Sequence, residues 1–509
     1  MTDVAAEQRD LVAFLERPET YGAREPVERI DTHISHVFLV SERAYKLKRA
    51  VKFAYLDFST PALRHRYALA EVALNRRTAP NLYLGVVPIK RVAGGLALGK
   101  LDEDGDACDW LVVMRRFGQD QLLDALAQRG KLTRDIVADL AEEVAAFHAK
   151  AEPAYGHGGH DAMESVALGN LKEIRDRTPS IFAAAKVAAL DKSWGAALER
   201  IGPLLDRRRL DGKVRRCHGD LHLRNICLID GRPTLFDAIE FSAEFASIDV
   251  LYDLSFLLMD MAHRGLAEFA NLALNTYLSA TGDYGGIATL PFFQSCRAGV
   301  RAHVVVTGDP RAGDEAQAYL DLALAFLAPT RPMLIGIGGL SGTGKTTVAL
   351  GLAPSLDSAP GAVVLRSDVT RKRLAGVHPL TRLPERAYTE AETVRVYERL
   401  VADARTVLAG GRAAIVDAVF ARPEQRAALA AVAQEAGVPF VGLWLEASVE
   451  TRRKRIGDRA RDASDATVDL VARQDAYDLG ALDWTRVTVD GALGPTLERA
   501  RKALADQLN

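Results

Sequence analysis

Cysteine is scarce in this chain, and the four present, Cys108, Cys217, Cys227 and Cys296, form no C-x-x-C pair and no zinc-finger spacing. A disulfide framework or structural metal is therefore not expected, and the thiols read as reduced. Charge of one sign is also lacking: the formal net charge is -2, so no global field selects nucleic acid or an acidic membrane surface, and any basic site must be local. No apolar run reaches the ~18 residues of a membrane span. The N-terminus, MTDVAAEQRD, lacks the basic start and apolar core of a signal peptide, which makes the cytoplasm the expected location. Histidines do not cluster with carboxylates at ligand spacing, so metal catalysis other than by nucleotide-bound magnesium has no support. Repeats of fixed period and low-complexity tails are absent as well, and 48% hydrophobic with 26% charged residues is the composition of a folded globular protein.

Two phosphate-handling signatures stand out instead. Gly339 to Thr346 reads GLSGTGKT, the G-x-x-x-x-G-K-T pattern of a P-loop, and His218 to Asn225 reads HGDLHLRN. The latter keeps the Asp and Asn spacing of the H-R-D-x-x-x-x-N kinase catalytic loop, with Gly219 in place of Arg. Each signature implies ATP and a domain of its own. At about 150 residues per domain the length allows roughly three units, or two if the modules are large. The clearest boundary is PTRP at Pro329 to Pro332, where an Ala/Leu-rich helical stretch gives way to the apolar strand MLIGIGG. The chain is accordingly divided into residues 1–328 and 329–509.

In the first part, HVFLV and AYKLK read as two strands around a tight turn at Ser41 to Arg43, followed by a helix over Pro61 to Arg77. From about Gln121 the pattern is helical, interrupted by NICLI, an Asp230-Gly231 turn and PTLFD, which together read as a β-hairpin. A strand-rich lobe (about 25–117) followed by a helical lobe (about 118–328) with a catalytic hairpin is a bilobal, kinase-like α+β arrangement. Phosphoryl transfer needs a carboxylate to orient the attacking hydroxyl, ligands for Mg2+, and a lysine on the phosphates. Asp220 is the expected catalytic group, and Asn225 and Asp237 are the expected magnesium ligands. Lys46 and Lys48 alternate along one strand and project from the same face, so either can reach the phosphates. Lys48 is the preferred one, with Glu71 on the following helix as ion-pair partner. For the lysines and Glu71, an ordinary surface ion pair is the competing account. For Asp249 and Asp253 in SIDVLYDLSF, a buried network anchoring the catalytic loop is favoured over a chemical role.

His218 to Asn225 with Asp237 resembles the aminoglycoside phosphotransferase and choline kinase-like group, which shares the protein-kinase fold; the likeness covers roughly residues 25 to 325. The segments THISHVFLV, AYKLKRAVKFAYLDFS and LNRRTAPNLYLGVVPI are similar to a bacterial branch fused to a P-loop domain. The resemblance implies that Val113 and Met114 lie near the hinge that holds adenine, and that His148 packs a helix. The sequence departs from protein kinases in having no G-x-G-x-x-G loop before its first strands; the group commonly lacks it, and the Ser35 hydroxyl is a candidate substitute.

In the second part, MLIGIGG switches to helical composition at GLSGTGKTTVALGLA, the strand-to-helix context a P-loop requires. An α/β P-loop domain with a parallel sheet flanked by helices follows. Gly339, Ser341, Gly342, Thr343, Gly344, Lys345, Thr346 and Thr347 are the expected nucleotide-binding residues, with Lys345 on the β and γ oxygens and the Thr346 hydroxyl on magnesium. Two further apolar strands, AVVLRSD and AAIVDAVF, lead to Asp368 and Asp417, at the end of the sheet where ligands bind. Arg371 lies one helical turn beyond Asp368. This pattern resembles polynucleotide kinase, gluconate kinase and zeta-toxin-like P-loop kinases. The resemblance implies that Asp368 orients the acceptor hydroxyl, Arg371 steadies it, and Asp417 stands near magnesium; a helix cap is the plain alternative for Asp368. In the arginine-dense TRRKRIGDRARD, Arg455 and Arg459 are preferred over Arg452 as lid residues, against the account of a solvated helix face.

Taken together these readings describe an ATP- and Mg2+-dependent double phosphotransferase acting on hydroxyl acceptors. A regulatory ATP-binding protein is the rival from another class, and nucleic-acid end processing by the C-terminal part is a second.

Overall fold

A computed structural model describes residues 8–53, 56–458 and 462–508. They form two compact units: one drawn from the described residues of 8–166, 205–257 and 303–313, the other from those of 167–204, 258–302 and 314–508.

The first unit is built on an antiparallel sheet. Its strands are β1 (Glu28–Asp31), β2 (Ser35–Val40), β3 (Arg43–Lys48), β6 (Tyr83–Val92), β7 (Gly95–Leu98) and β8 (Asp109–Arg115), with a short β4 (Lys52–Phe53) and β5 (Leu56–Asp57) pair beside it. The order is β1-β2-β3-β8-β6-β7. Period-two alternation sorts the side chains of β8 onto two faces. Trp110, Val112 and Met114 pack with Ala68 and Val72 of the helix Pro61–Asn75, whereas Leu111 and Val113 join Leu11, Leu15, Phe38, Tyr45 and Leu47 on the other side. Ala44 belongs to the first group and Tyr45 and Leu47 to the second, so β3 directs Lys46 and Lys48 at the helix. That helix starts where expected: Pro61 occupies its first turn and the Thr60 hydroxyl accepts the Leu63 N–H. It ends at Asn75, two residues short of the expected Arg77.

In the same unit, β9 (Val214–Arg216) pairs antiparallel with β12 (Ser247–Asp249), and β10 (Ile226–Ile229) with β11 (Arg232–Leu235). The turn between β10 and β11 is Asp230-Gly231, with φ of 51° and 78°. Two consecutive left-handed residues are what a two-residue hairpin turn demands, and this confirms the hairpin read from the sequence.

The second unit carries a parallel sheet of β13 (Leu334–Gly338), β14 (Val363–Arg366), β15 (Ala414–Asp417), β16 (Phe440–Glu446) and β17 (Thr485–Thr488), in the order β14-β15-β13-β16-β17. Helices cover both faces of such a sheet, so its strands read as unbroken apolar runs, and every residue of β13 is buried. Val348 and Leu352 of the helix Lys345–Leu352 and Ala500 and Leu504 of the helix Leu493–Leu508 close one core against Ile335, Ile337 and Leu443.

Edge strand β14 is capped by two buried asparagines of the helix Ala267–Thr281. Asn275 Oδ1 accepts the Val364 N–H at 2.7 Å, and its Nδ2 donates to the Ala362 carbonyl at 3.2 Å. Asn271 Nδ2 donates to the carbonyls of Pro360 and Ala362 at 2.9 and 3.0 Å. These side chains stand where a sixth strand would pair. Replacing Asn275 by Ala orphans the buried Val364 amide, so Asn275→Ala is expected to cost about 1–3 kcal/mol. Hydrogen exchange over 362–366, measured in the full chain, will rise accordingly, and exchange in β13 will rise less.

Candidate active sites

The loop His218–Asn225 of the first unit hangs from one buried carboxylate, Asp253, while Asp249 holds Arg208. Asp253, fully buried, accepts the backbone N–H of His218 at 3.0 Å and of Gly219 at 2.8 Å, and its Oδ2 is 3.0 Å from His148 Nε2. Asp249 takes both Nε (2.7 Å) and Nη2 (2.8 Å) of Arg208. The anchoring expected of SIDVLYDLSF is thus present. Gly219 has φ of 86°, and a Cβ there would lie 3.0 Å from Ile239 Cδ1 and 3.2 Å from the Phe245 carbonyl oxygen, so glycine suits this position better than arginine. His218 Nε2 donates to the Phe236 carbonyl at 2.9 Å; burial lowers its pKa against the pull of Asp253 and Asp220.

On this scaffold the expected site residues converge. Asn225 Nδ2 donates to Asp220 Oδ2 and to the Asp220 carbonyl, both at 2.9 Å. Asp237 follows β11 in a left-handed conformation with φ of 62°, which a non-glycine residue adopts only when its surroundings hold it. The Tyr83 hydroxyl accepts its N–H at 3.1 Å, and Asn75 Oδ1 accepts the next N–H, of Ala238, at 2.9 Å. Lys46 Nζ donates to Asp237 Oδ1 at 2.6 Å and to Glu71 Oε1 at 2.9 Å.

Lys48, the lysine preferred on sequence grounds, occupies a different place. It is only 1% exposed, donates to Glu71 Oε2 at 2.6 Å, and pairs on its other side with Glu240, a residue the sequence reading passed over in this connection. Of the two lysines, Lys46 is the one bonded to Asp237. Burial alone would raise the Glu71 carboxyl, but the ammonium groups of Lys46 and Lys48 outweigh it and hold the pKa at about 2. Glu240 is raised, by burial first and then by the Glu71 charge, against the pull of Lys48. The Lys46 ammonium is raised well above its ordinary value because Asp237 and Glu71 together outweigh its burial. Met114 sits in β8 opposite Ala44 of β3 and Tyr83 of β6. Ser35 faces Lys48 across the β2–β3 pair, is fully buried, and its Oγ makes no hydrogen bond.

In the second unit the P-loop leaves β13 and enters the helix Lys345–Leu352 through Gly339, Gly342 and Gly344, all at positive φ. A Cβ on Gly342 would lie 2.6 Å from the Arg452 carbonyl oxygen, so this turn admits only glycine without rearrangement. The Thr346 hydroxyl donates to Asp417 Oδ2 at 2.5 Å, and Lys345 Nζ donates to the Leu340 carbonyl at 3.3 Å. Ser341 is clamped: its N–H goes to Gln474 Oε1 at 2.7 Å and its carbonyl to Arg452 Nε at 2.9 Å. Thr343 Oγ1 donates to the Leu340 carbonyl at 2.8 Å, while the Thr343 carbonyl takes Arg455 Nη1 at 3.1 Å. Thr347 is exposed. The arginine run therefore divides, with Arg452 and Arg455 on the loop's backbone; Arg459 lies outside the described residues.

Asp368 and Arg371 share the helix Ser367–Leu374, which begins one residue after β14 ends. Asp368 does not cap it, since the cap position is Arg366. Arg371 donates to the Ala387 carbonyl at 2.7 Å and lies 4.8 Å from the Tyr388 ring centre. The Tyr397 hydroxyl accepts the Phe420 N–H at 2.9 Å. Burial pushes the Tyr397 phenol up; the bond from Phe420 and the Arg371 charge oppose this, and the carboxylates of Asp368 and Asp417 add to it.

Comparison with known proteins fits this geometry. The phosphotransferase enzyme family model matches residues 34–290, which include Ser35, both lysines, Glu71 and the loop from His218 to Asp237. The chain belongs to that family. An AAA domain model matches residues 334–477, from β13 to just beyond Gln474. Uncharacterized proteins of Mycobacterium tuberculosis and Mycobacterium bovis are 30% identical to this phosphotransferase over 465 residues, covering 88% of it and 90% of their own length. Among solved structures, a choline/ethanolamine kinase family protein from Mesorhizobium loti is similar over 64% of this chain and 93% of its own, at 13% identity and a TM-score of 0.37. A gluconokinase from Sinorhizobium meliloti 1021 is similar over 35% and 94%, at 20% identity and a TM-score of 0.25. Both scores are too low to bear on substrate.

The phosphotransferase is a kinase with a nucleotide-binding P-loop, and kinases of these families use ATP and a divalent metal. The residues expected to hold it, Asn225 and Asp237 in one unit and Thr346 and Asp417 in the other, all offer oxygen, as a hard cation requires. Among the described helices, none is long and apolar enough to cross a membrane. The two lysines have different expected consequences. Lys48→Met strands Glu240 in the interior and is expected to destabilise the chain by about 3 kcal/mol or more, whereas Lys46→Met leaves Glu71 paired with Lys48 and Asp237 partly open to water, and is expected to cost less. Urea unfolding followed by circular dichroism distinguishes them.

Proposed function

We propose that the chain is a double kinase of the cytoplasm, with one ATP site in residues 1–328 and a second in residues 329–509, each transferring the γ-phosphoryl group to a hydroxyl acceptor. The observation that carries this reading is that each part has its own lysine and carboxylate at a loop, Lys46 with Glu71 and Asp237 in one, Lys345 and the Thr346–Asp417 pair in the other. In the first part, Lys46, held by Glu71, contacts the phosphates; Lys48 secures Glu71 from behind. Asn225 and Asp237 hold Mg2+, which neutralises the phosphate oxygens when bound, and Met114 lies along adenine. Asp220 orients the acceptor O–H and receives its proton as the oxygen takes the phosphoryl group and ADP departs. The Asn225 amide fixes the Asp220 rotamer at 2.9 Å.

In the second part, the loop amides from Gly339 to Gly344 and the Lys345 ammonium bind phosphate, with Ser341, Thr343 and Thr347 lining the loop and helix start. Thr346 and Asp417 hold the metal. Asp368 serves the acceptor hydroxyl as Asp220 does in the first part, and Arg371 steadies the acceptor. Arg455 is assigned to the transferring phosphate, as is Arg459 on sequence grounds alone. The acceptor of the first site is a small molecule of sugar or aminoglycoside-like character; that of the second is a small molecule or a nucleotide or nucleic-acid hydroxyl.

The test is phosphate transfer from ATP to a panel of sugars, nucleosides, oligonucleotides and aminoglycosides. Asp220→Ala is expected to abolish transfer to one acceptor and Lys345→Ala to a different one, each by at least about a hundredfold. If both variants leave transfer intact, the site assignments are wrong. Tight ATP binding with no transfer by the wild type would instead favour a nucleotide-sensing protein.

A further inference from the structure

The stretch that follows the arginine-rich helix contains a carboxylate with an unusual number of donors. Asp465 Oδ1 accepts Lys372 Nζ at 2.9 Å; its Oδ2 accepts the Leu383 N–H at 3.0 Å and the Tyr388 hydroxyl. Lys372 is 1% exposed and also donates to the Thr381 carbonyl. All three donors belong to the acceptor side of the second site. Lys372 is the neighbour of Arg371 in the helix Ser367–Leu374, and Leu383 and Tyr388 lie in the segment that follows it. Three residues earlier, Asp462 accepts Arg366 Nη2 at 2.8 Å, and Arg366 Nε lies 3.8 Å from Asp417 Oδ2.

A lone surface ion pair would be worth about 1 kcal/mol or less. A carboxylate that binds a buried ammonium, a backbone amide and a phenol at once fixes three chain segments relative to one another. One of those segments ends in Tyr388, whose ring lies 4.8 Å from the Arg371 guanidinium, and Arg371 bonds the carbonyl of the adjacent Ala387 at 2.7 Å. The contacts therefore run from Asp465 through Tyr388 to Arg371.

We propose that Asp465 is a positioning residue of the second site: by gathering Lys372, Leu383 and Tyr388 it sets Tyr388 against Arg371 and fastens residues 462–465 across the acceptor side. This rests on the reading of Asp368 and Arg371 as acceptor-binding groups.

The experiment is hydrogen exchange on the full chain, with and without AMP-PNP and Mg2+ as the probe, together with the KM for ATP in Lys345-dependent hydrolysis, where water is the acceptor. In Asp465→Asn, exchange over 378–390 and 462–467 is expected to rise by about tenfold or more, while 339–347 and the strands stay protected. The KM for ATP should stay within about twofold of wild type. Tyr388→Phe, which keeps the ring and removes the donor, should deprotect 378–390 in the same way. Unchanged exchange over 378–390 in either variant overturns the proposal. So does deprotection that spreads to 339–347 with a raised KM for ATP, since it would mark Asp465 as general scaffolding. Lys345→Ala separates the two readings: it should lose AMP-PNP protection of 339–347, leaving one nucleotide bound per chain, yet keep 378–390 protected. If it binds AMP-PNP normally, the P-loop assignment fails, while the exchange result for Asp465 stands on its own.

Discussion

One buried glutamate shared by two lysines is the contact on which the first site rests. An isolated charge in the interior is prohibitively costly, so every buried ion here is matched by another. Glu71 neutralises Lys46 and Lys48, Lys48 in turn neutralises Glu240, and Lys46 reaches Asp237. The chain of alternating charge joins β3, the helix Pro61–Asn75 and the loop after β11, elements far apart in sequence. It also explains why Asp237 can hold a left-handed backbone: Tyr83, Asn75 and Lys46 each fix part of it.

The second site meets the same requirement by other means. Its loop is shaped by glycines and then clamped by side chains, with Gln474 on the Ser341 amide, Arg452 on its carbonyl and Arg455 on the Thr343 carbonyl. Asp417 is buried against Thr346 and Arg366 instead of a lysine pair. Two different sheets thus each carry a lysine near a carboxylate, Lys46 with Asp237 on an antiparallel one and Lys345, next to the Thr346 that bonds Asp417, at the end of a parallel one. Phosphoryl transfer needs little else from a protein, because positioning and charge stabilisation do most of the work.

What was legible in the sequence was local. HGDLHLRN and GLSGTGKT carry their chemistry within eight residues, the Asp230-Gly231 turn declares its hairpin, and the apolar runs before Gly339 and at Asp417 declare buried parallel strands. What was not legible depends on where the chain returns. Alternation puts Lys46 and Lys48 on one face and cannot tell them apart; their partners differ, Asp237 for Lys46 and Glu240 for Lys48, about 190 residues on. Asn271 and Asn275 have no local mark of an edge-strand cap, since their partners lie 87 to 91 residues away. The arginine run read as a lid or a solvated helix face, with Arg455 and Arg459 set apart from Arg452, yet nothing local marks Arg452 as buried; it is 3% exposed because its guanidinium finds Ser341 and Asp475. Composition reports the charge of such a run and not which of its members turn inward.

The central claim is that one chain holds two separate nucleotide sites. Equilibrium dialysis of the full chain against AMP-PNP with Mg2+ counts them directly. Two bound nucleotides per chain are expected, falling to one when Lys345 is replaced by Ala. Saturation at a single nucleotide in the wild type, or two still bound in Lys345→Ala, would contradict that claim.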